Sequence, residues 1–224
     1  IGGHGVAVGG VVIDGGNFDW LKSGRFPTLT QPYEPFHGMN FWEEFGPAAL
    51  AMRIRCESMR DIGAAMTPHN AFLLLQGLET LNLRMHQHVS NAQAMVTWLQ
   101  TQDAVAWVNH PDINAEAHTK ALFPKGAGSM LTFGVKGGRD AGAAFINALQ
   151  LSSNLANVGD SRTLVLHPGS TTHSRLSEND LIAAGIGADL IRVSVGIETL
   201  KDIQADFSLG LRAAAKILAQ QAEA

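Results

Sequence analysis

The chain has 224 residues, which is long enough for one large domain or two small ones around a substantial core. Its 16 basic and 20 acidic residues give a net charge of -4 without any basic run, so nucleic acid is not an expected partner. A single cysteine, Cys56, excludes a disulfide framework and a cysteine-based zinc site, and no apolar run could cross a bilayer, so we expect a soluble, cytoplasmic protein without a metal or a membrane partner.

The first 46 residues combine a glycine-rich stretch with an aromatic one. The opening IGGHGVAVGGVVIDGG holds seven of the 24 glycines, and the apolar run at residues 11–13 predicts a short buried strand. Residues 16–46 then carry prolines and eight aromatic side chains without helical or strand periodicity. Because aromatic residues are rare in disordered segments, we expect this long loop to pack over other parts of the protein.

Two helical patterns follow this loop. A proline in the first turn and helical spacing of apolar residues predict a helix over residues 47–62. A second pattern covers residues 67–102, and a helix of that length would span about 50 Å, so we predict a kink near Gly77 or a bridge between domains. We place the domain boundary after this helix, between residues 1–102 and residues 103–224.

The second half of the chain alternates short apolar runs with short helical patterns. Helices are predicted over residues 139–149, from the cap at Ser177 to 184, and over 199–220. Strands are predicted at residues 105–108, 130–135, 155–158, 164–166 and 190–197. This order is typical of an α+β domain with helices on one face of a mainly antiparallel sheet.

The last predicted strand, LIRVSVGI, separates two kinds of side chain. Apolar residues alternate along it and share one face, while Arg192 and Ser194 share the other. On a half-exposed sheet Arg192 would be a solvated surface residue. Held on a rigid strand, its planar fork could instead face a carboxylate or a phosphate, and only a partner group distinguishes the two interpretations.

Other polar residues allow fewer conclusions. The loops LANVGD and LHPGSTTH serve either as turns or as a polar pocket. His86 and His88 are two residues apart, so on a helix they point to different sides and make a poor metal pair. The chain contains no HExxH or GxSxG pattern, and its first glycines do not fit the dinucleotide fingerprint.

Four ordered strings carry a family resemblance. They are IGGHGVAVGGVVIDGGNFDW, LQGLETLNLRM, LANVGDSRTLVLHPGSTTH and LIRVSVGIE. Together they resemble the C-terminal part of the Cys/Met-metabolism family of pyridoxal-phosphate enzymes. The resemblance implies an α/β, aspartate-aminotransferase-like subunit (fold type I). Residues 1–102 would then end the large cofactor-binding domain and add a long linking helix, and residues 103–224 would form the C-terminal α+β domain.

The resemblance also assigns site residues. It implies that the lysine bound to pyridoxal 5'-phosphate lies just upstream of Ile1, so that no catalytic residue is expected within the 224. Arg192, Asn157 and Thr172 correspond to substrate-binding positions, with Arg192 holding the α-carboxylate. The segment Gly3, His4 and Gly5 corresponds to the stretch beside the cofactor.

Within the family, the aromatic loop and LANVGD look most like the O-acetylhomoserine sulfhydrylase branch. This implies a transferase that replaces the acetate at Cγ of O-acetylhomoserine by sulfide and so makes homocysteine for methionine biosynthesis, in a homo-oligomer, expected to be a tetramer. Alternatives are cystathionine γ-synthase, methionine γ-lyase and O-succinylhomoserine sulfhydrylase. A non-catalytic binding fragment is a further alternative if Ile1 is a true N-terminus.

Overall fold

The computed structural model describes residues 1–113 and 115–223, with Glu178 described by its backbone only. Its contacts divide the chain into two compact units. We call residues 7–73 the aromatic unit, and Ile1–Val6 together with Leu74–Ala224 the sheet unit. This grouping is not the sequence-based division after residue 102, which stays a prediction.

The aromatic unit is built from short helical segments. The proposed helix over residues 47–62 is confirmed as a continuous helical course, although its middle widens into a π-helix, and it ends at Gly63 with φ 73°. The segments are α1 (Trp20–Ser23), α2 (Pro27–Thr30), a 3₁₀ turn (Glu34–Phe36), α3 (Phe41–Phe45), a 3₁₀ turn (Gly46–Ala48), α4 (Ala49–Arg53), the π-helix (Ile54–Met59) and α5 (Arg60–Ile62).

The strand predicted at residues 11–13 is wrong. These residues have no regular secondary structure, and Val11, Val12 and Ile13 are 79, 65 and 86% exposed. An apolar run becomes a strand only where a neighbouring strand accepts and donates its backbone hydrogen bonds, and among the described residues none pairs with this run.

Aromatic contacts organise the rest of the aromatic unit. The rings of Phe18, Trp20 and Phe26 lie 4.6 to 5.8 Å apart. The Arg53 guanidinium lies 3.8 Å from the centre of the Tyr33 ring, and its Nε pairs with Glu57 at 2.6 Å. As expected, the loop packs over another part of the protein at Tyr33, which contacts Arg53 and Glu57, whereas the Phe18, Trp20 and Phe26 rings pack on one another. Helices α1, α2 and α3 form within the stretch predicted as loop.

The long helix predicted over residues 67–102 is divided. It forms α6 (Pro68–Glu79) and α7 (Leu81–Leu99), and the interruption falls at Thr80, three residues after the predicted kink at Gly77. Helix α7 buries one face, which includes Ala92, Met95, Val96 and Leu99, in the core of the sheet unit.

Five strands form a single mixed sheet in the order β1-β2-β5-β4-β3. Three pairs are antiparallel and only β3 and β4 are parallel, as the predicted mainly antiparallel sheet requires. The remaining elements are β1 (Val105–Asn109), α8 (Ala117–Leu122), β2 (Met130–Val135), α9 (Gly138–Ala148), β3 (Ser153–Asn154), β4 (Leu164–Leu166), α10 (Glu178–Ala183), β5 (Leu190–Ser194) and α11 (Leu200–Glu223).

The strand predicted at residues 155–158 is wrong. The sheet pairing ends at Asn154, and the next residues run irregularly over the surface. The side-chain oxygen of Asn157 accepts a hydrogen bond from the Val158 amide at 2.9 Å. Such local side-chain bonding competes with the backbone ladder of a strand, and here it forms a loop.

One face of the sheet carries the hydrophobic core. Alternate residues of β2 and β5 point toward α7, α9 and α11, and the rings of Phe133, Phe145 and Phe207 meet 5.4 to 6.1 Å apart. Burying each large apolar side chain contributes about 1.5 to 3 kcal/mol. The opposite face of β5 is left with Arg192 and Ser194, as the alternation predicts.

Polar side chains fix two helices of the sheet unit. Ser177 caps α10 by accepting a hydrogen bond from the Asp180 amide, as predicted. Asp206 on α11 is buried and accepts hydrogen bonds from the amides of Gln150, Leu151 and Ser152 at 2.6 to 3.0 Å.

Among the described residues, no helix combines the length and apolar character needed to cross a membrane.

Candidate active site

Three distant parts of the chain meet in the sheet unit. They are residues 1–5, the loop of residues 155–161, and Arg192 on β5. The loop follows β3, and Arg192 lies on the face of the sheet opposite the hydrophobic core. The loop and the arginine are therefore close together in the folded chain. Most of the residues that the family resemblance singles out belong to this cluster.

Glycines shape the first of these parts. Gly3 is buried with φ +82°, and Gly5 has φ +66°, a left-handed conformation that glycine adopts without steric cost. A Cβ placed on Gly5 would lie 3.2 Å from Asp160 Oδ2 and 3.5 Å from Asn157 Nδ2. The backbone at Gly5 therefore sits directly on the polar loop.

Asn157 connects this segment with the arginine. Its amide lies beside Gly5, while its backbone carbonyl accepts a hydrogen bond from Arg192 Nη2 at 3.5 Å. The bond is long and the guanidinium stays partly exposed, so most of its donors remain available to another group. Free guanidinium donors of this kind are suited to bind a carboxylate.

Asp160 supplies a buried negative charge below the glycine segment. Its side chain is almost fully buried and accepts hydrogen bonds from the Arg162 amide and guanidinium at 3.0 to 3.3 Å. Burial by itself would raise the pKa of Asp160, but the bonds from Arg162 and the nearby charges of Arg162 and His4 hold that pKa below its ordinary value. The group is therefore a carboxylate at neutral pH.

Buried hydrogen bonds hold the loop in place against the sheet. Ser194 shares a strand face with Arg192, and its hydroxyl accepts the Gly159 amide at 3.2 Å. The Glu198 carboxylate accepts the Thr163 amide and hydroxyl at 2.6 and 2.8 Å. These contacts hold the second half of the loop that carries Asn157 and Asp160, at Gly159 and just after the loop at Thr163.

Two carbonyls of the glycine segment are bound from other elements. Ser161 donates its amide and its hydroxyl to the Gly3 carbonyl at 2.7 and 2.9 Å. Arg84 on α7 donates Nη2 to the Ile1 carbonyl at 2.6 Å and also to the Gly77 carbonyl. The segment is thus held from α7 and from the polar loop at once.

Thr172 lies apart from these hydrogen bonds. It is exposed after the 3₁₀ turn Pro168–Ser170, and its hydroxyl pairs with His173 Nδ1 at 2.8 Å. Within the described part of the chain, no hydrogen bond links it to Arg192 or Asn157. Its assignment as a substrate residue stays a prediction, as do those of Arg192, Asn157, Gly3, His4 and Gly5.

Sequence reasoning missed Arg84, Asp160, Ser161 and Ser194. All four lie inside strings that carried the resemblance, yet their partners are up to 158 residues away. Periodicity and local motifs describe neighbours in sequence, so they contain no signal for contacts between an N-terminal segment, a helix and a distant loop. The one available hint was Ser194, because it shares its strand face with Arg192.

Comparison with known proteins gives a consistent result. Residues 1–212 match the family described as Cys/Met metabolism PLP-dependent enzyme. The chain is 48% identical to a homocysteine synthase of Schizosaccharomyces pombe, covering 96% of this chain and 51% of that protein. It is 44% identical to O-acetyl-L-homoserine sulfhydrylase 1 of Thermus thermophilus, covering 94% of this chain and 51% of that protein. The chain thus spans about half the length of the curated relatives it matches.

A solved structure supports the fold assignment. It is a Campylobacter jejuni protein described as an O-acetylhomoserine (thiol)-lyase that carries N'-pyridoxyl-lysine-5'-monophosphate. The likeness has a TM-score of 0.75 with 36% identity, and covers 84% of this chain and 45% of that one. The predicted fold class is confirmed.

Proposed function

This chain belongs to the Cys/Met metabolism family of PLP-dependent enzymes, and we propose that it forms the C-terminal half of a subunit that makes homocysteine from O-acetylhomoserine and sulfide. One observation carries the proposal. Asn157 lies beside Gly5 and accepts a hydrogen bond from Arg192, so one loop residue links the segment assigned to the cofactor with the arginine assigned to the substrate carboxylate. The relatives named above for homocysteine or O-acetylhomoserine chemistry support the choice of substrates.

The residues present fit pyridoxal phosphate. A Cβ on Gly3 would lie 3.1 Å from both Arg84 Nη1 and Ser161 Oγ, and one on Gly5 would crowd Asp160. The glycines therefore let the backbone pack closely against these polar groups, as the resemblance implies for the segment beside the cofactor. We place the cofactor-binding lysine just upstream of Ile1, supported by the lysine-bound pyridoxyl group of the Campylobacter relative.

Each residue of the cluster has a distinct task in this mechanism. When bound, pyridoxal phosphate withdraws electrons from Cα of the amino acid, which allows a group at Cγ to be replaced. Arg192 binds the α-carboxylate with paired N–H donors and orients the substrate, and it transfers no proton. Asn157 completes the carboxylate site from the loop.

Other residues support this geometry. His4, Gly3 and Gly5 form the wall beside the cofactor, and the Asp160 carboxylate below them stays charged and paired with Arg162. Thr172 completes the substrate side in this proposal, by analogy with the family pattern alone.

We also propose a homotetramer that works in the cytoplasm. Apolar side chains left exposed in the sheet unit, such as Leu75 on α6 and Leu83 on α7, at 61 and 70%, support burial in an assembly. Light scattering of the complete protein measures the number of subunits, and a monomer at micromolar concentration would contradict this part of the proposal.

The test of function uses the complete subunit with Arg192→Ala. We expect the KM for O-acetylhomoserine to rise about 30-fold or more, since removing one partner of a desolvated charged pair costs about 2 to 4 kcal/mol. The visible absorbance of the bound cofactor should be unchanged. Arg212→Ala, an exposed arginine on α11, is the matched control.

A substrate panel identifies the reaction. O-acetylhomoserine, O-succinylhomoserine, cystathionine and methionine are offered in parallel with sulfide. Preferred turnover of O-acetylhomoserine supports the proposal, and preferred turnover of any other compound replaces it with a related γ-synthase or γ-lyase. A wild-type subunit without cofactor absorbance would overturn the proposal altogether.

A further inference from the structure

The glycine segment has little structure of its own. Residues 1–5 form no helix or strand, and three of the five are glycines. Glycine backbones have the largest conformational freedom, so the sequence alone cannot fix where these carbonyls point. Their position must come from groups that bind them.

Two side chains supply those groups. The Arg84 guanidinium donates to the Ile1 carbonyl at 2.6 Å, and Ser161 donates its amide and hydroxyl to the Gly3 carbonyl. Arg84 is itself held by Thr80, whose hydroxyl accepts Arg84 Nε at 3.2 Å. Arg84 is half-buried, and a hydrogen bond from a charged donor is stronger than one between neutral groups.

The glycine segment packs directly against the backbone of α6 and cannot move closer to that helix. A Cβ on Gly77 would lie 2.7 Å from Gly2 Cα and 2.8 Å from the Ile1 carbonyl oxygen. The same Arg84 group also donates to the Gly77 carbonyl, so one guanidinium joins the helix to the segment. The segment is therefore held by polar contacts on two sides and by steric contact with α6.

We propose that Arg84 and Ser161 are positioning residues, which hold the backbone next to the cofactor-binding lysine so that the lysine presents its amine at a fixed place. This inference rests on the proposed function, because that lysine is placed just upstream of Ile1. Neither residue needs to touch the substrate. Their effect is exerted through the main chain, at the Ile1 and Gly3 carbonyls.

This role differs measurably from a purely structural one. A loosened lysine changes the asymmetric environment of the cofactor, which the visible circular dichroism reports, and it lowers kcat. The substrate carboxylate site at Arg192 is untouched, so KM should stay within about twofold. Loss of overall stability would instead lower the thermal midpoint without changing the circular dichroism per bound cofactor.

The experiment compares variants of the complete holoenzyme. Arg84→Gln should lower kcat about tenfold and lower the visible circular dichroism per bound cofactor at least about twofold, since both carbonyls lose a charged donor. Arg84→Lys should recover part of both signals, because an ammonium can bind one carbonyl but not both in the same geometry. Ser161→Ala should have a smaller effect and Ser161→Thr almost none, since only alanine removes the hydroxyl donor.

Arg212→Gln is the matched control and should resemble the wild type. Unchanged kcat and circular dichroism in Arg84→Gln would overturn the inference, as would a fall in thermal midpoint that alone accounts for lost activity. If Arg84→Gln does not fold, the inference is tested by comparing kcat and visible circular dichroism between Ser161→Ala and Ser161→Thr. A wild-type holoenzyme without visible cofactor absorbance would mean that the proposed function has failed, a result distinct from either.

Discussion

The sheet unit contains one continuous hydrophobic core, whereas the aromatic unit buries few of its large apolar side chains completely. Helices α7, α9 and α11 cover one sheet face, and residues such as Phe133 and Phe207 are inaccessible to solvent. Of the apolar residues described in the aromatic unit, only Leu29, Phe41 and Ala49 are buried, while Val11 to Ile13 are exposed. Regular periodicity thus accompanies a continuous core, and aromatic clusters without periodicity accompany a unit with few fully buried side chains.

The largest expected difference comes from removing one phenylalanine in each unit. Phe207→Ala should lower the free energy of unfolding of the complete subunit by about 4 kcal/mol, because it leaves a cavity among three packed rings. Phe18→Ala in the aromatic unit should cost less than about 1 kcal/mol, since that side chain is 45% exposed. Urea unfolding followed by fluorescence measures both.

Equal losses in the free energy of unfolding for Phe207→Ala and Phe18→Ala would contradict the difference in burial between the two units. If Phe207→Ala does not fold, Phe207→Leu provides a milder test with an expected cost of about 1.5 kcal/mol.

A second difference concerns the polar anchor of α11. Asp206→Ala should destabilise the sheet unit by about 3 kcal/mol at neutral pH, because three buried amides lose their acceptor. Burial by itself would raise the pKa of Asp206, but the three amides lower it overall. Its stabilisation is therefore present above the unfolded-state pKa of about 3.9 and is lost as the pH falls through the lower folded-state pKa.

The pH series for Asp206→Ala uses urea midpoints between pH 7 and pH 3. The difference between wild type and variant should shrink at the acid end of this range. A difference that grows on acidification would contradict the role of Asp206 as a buried carboxylate. Asp202→Ala, an exposed carboxylate of the same helix, is the control.

The smallest expected effect lies in the aromatic unit. Arg53 packs on the Tyr33 ring and pairs with Glu57. The hydrogen bond from Arg53 lowers the pKa of Glu57. The hydrogen bond between Tyr33 and Glu57 raises the pKa of Tyr33. Arg53→Gln should speed hydrogen exchange around residues 33–57 with little change in global unfolding, since partly exposed ion pairs contribute little. Arg55→Gln, on the exposed side of the same helical stretch, should leave exchange unchanged, and slower exchange in Arg53→Gln would contradict this account.

Much of the sheet unit follows from sequence pattern. The apolar run of β2 predicts its bounds without error, and the alternation in β5 identifies both its core face and the face that carries Arg192. Such patterns work because the sheet has one buried face and one open face, so each residue's neighbours are dictated by its place along the strand.

The failures have a common physical cause. Residues 11–13 form an apolar run and residues 155–158 an apolar stretch interrupted by Asn157, and among the described residues neither pairs with a strand. The sequence of such a run does not state whether a partner exists. The Arg84 contact with Ile1 depends in the same way on an encounter between remote segments. The resemblance implies roles for Arg192 and Asn157 that stay predictions, whereas the contacts of Arg84 and Ser161 with the glycine segment arise only in the folded chain.

Gly77 on α6 is a position where a commonly stabilising substitution would disturb the packing. Replacing a helical glycine by alanine normally stabilises an isolated helix by about 0.8 to 1 kcal/mol, and α6 would be an obvious candidate for such an improvement. Here the added methyl group would meet the backbone of Gly2 at 2.7 Å. Local preference and global packing oppose each other at this position, so it is a point of frustration that the native protein tolerates. Thermostabilising designs that score helices one at a time would select this substitution, and it would displace the segment of residues 1–5 that packs against α6.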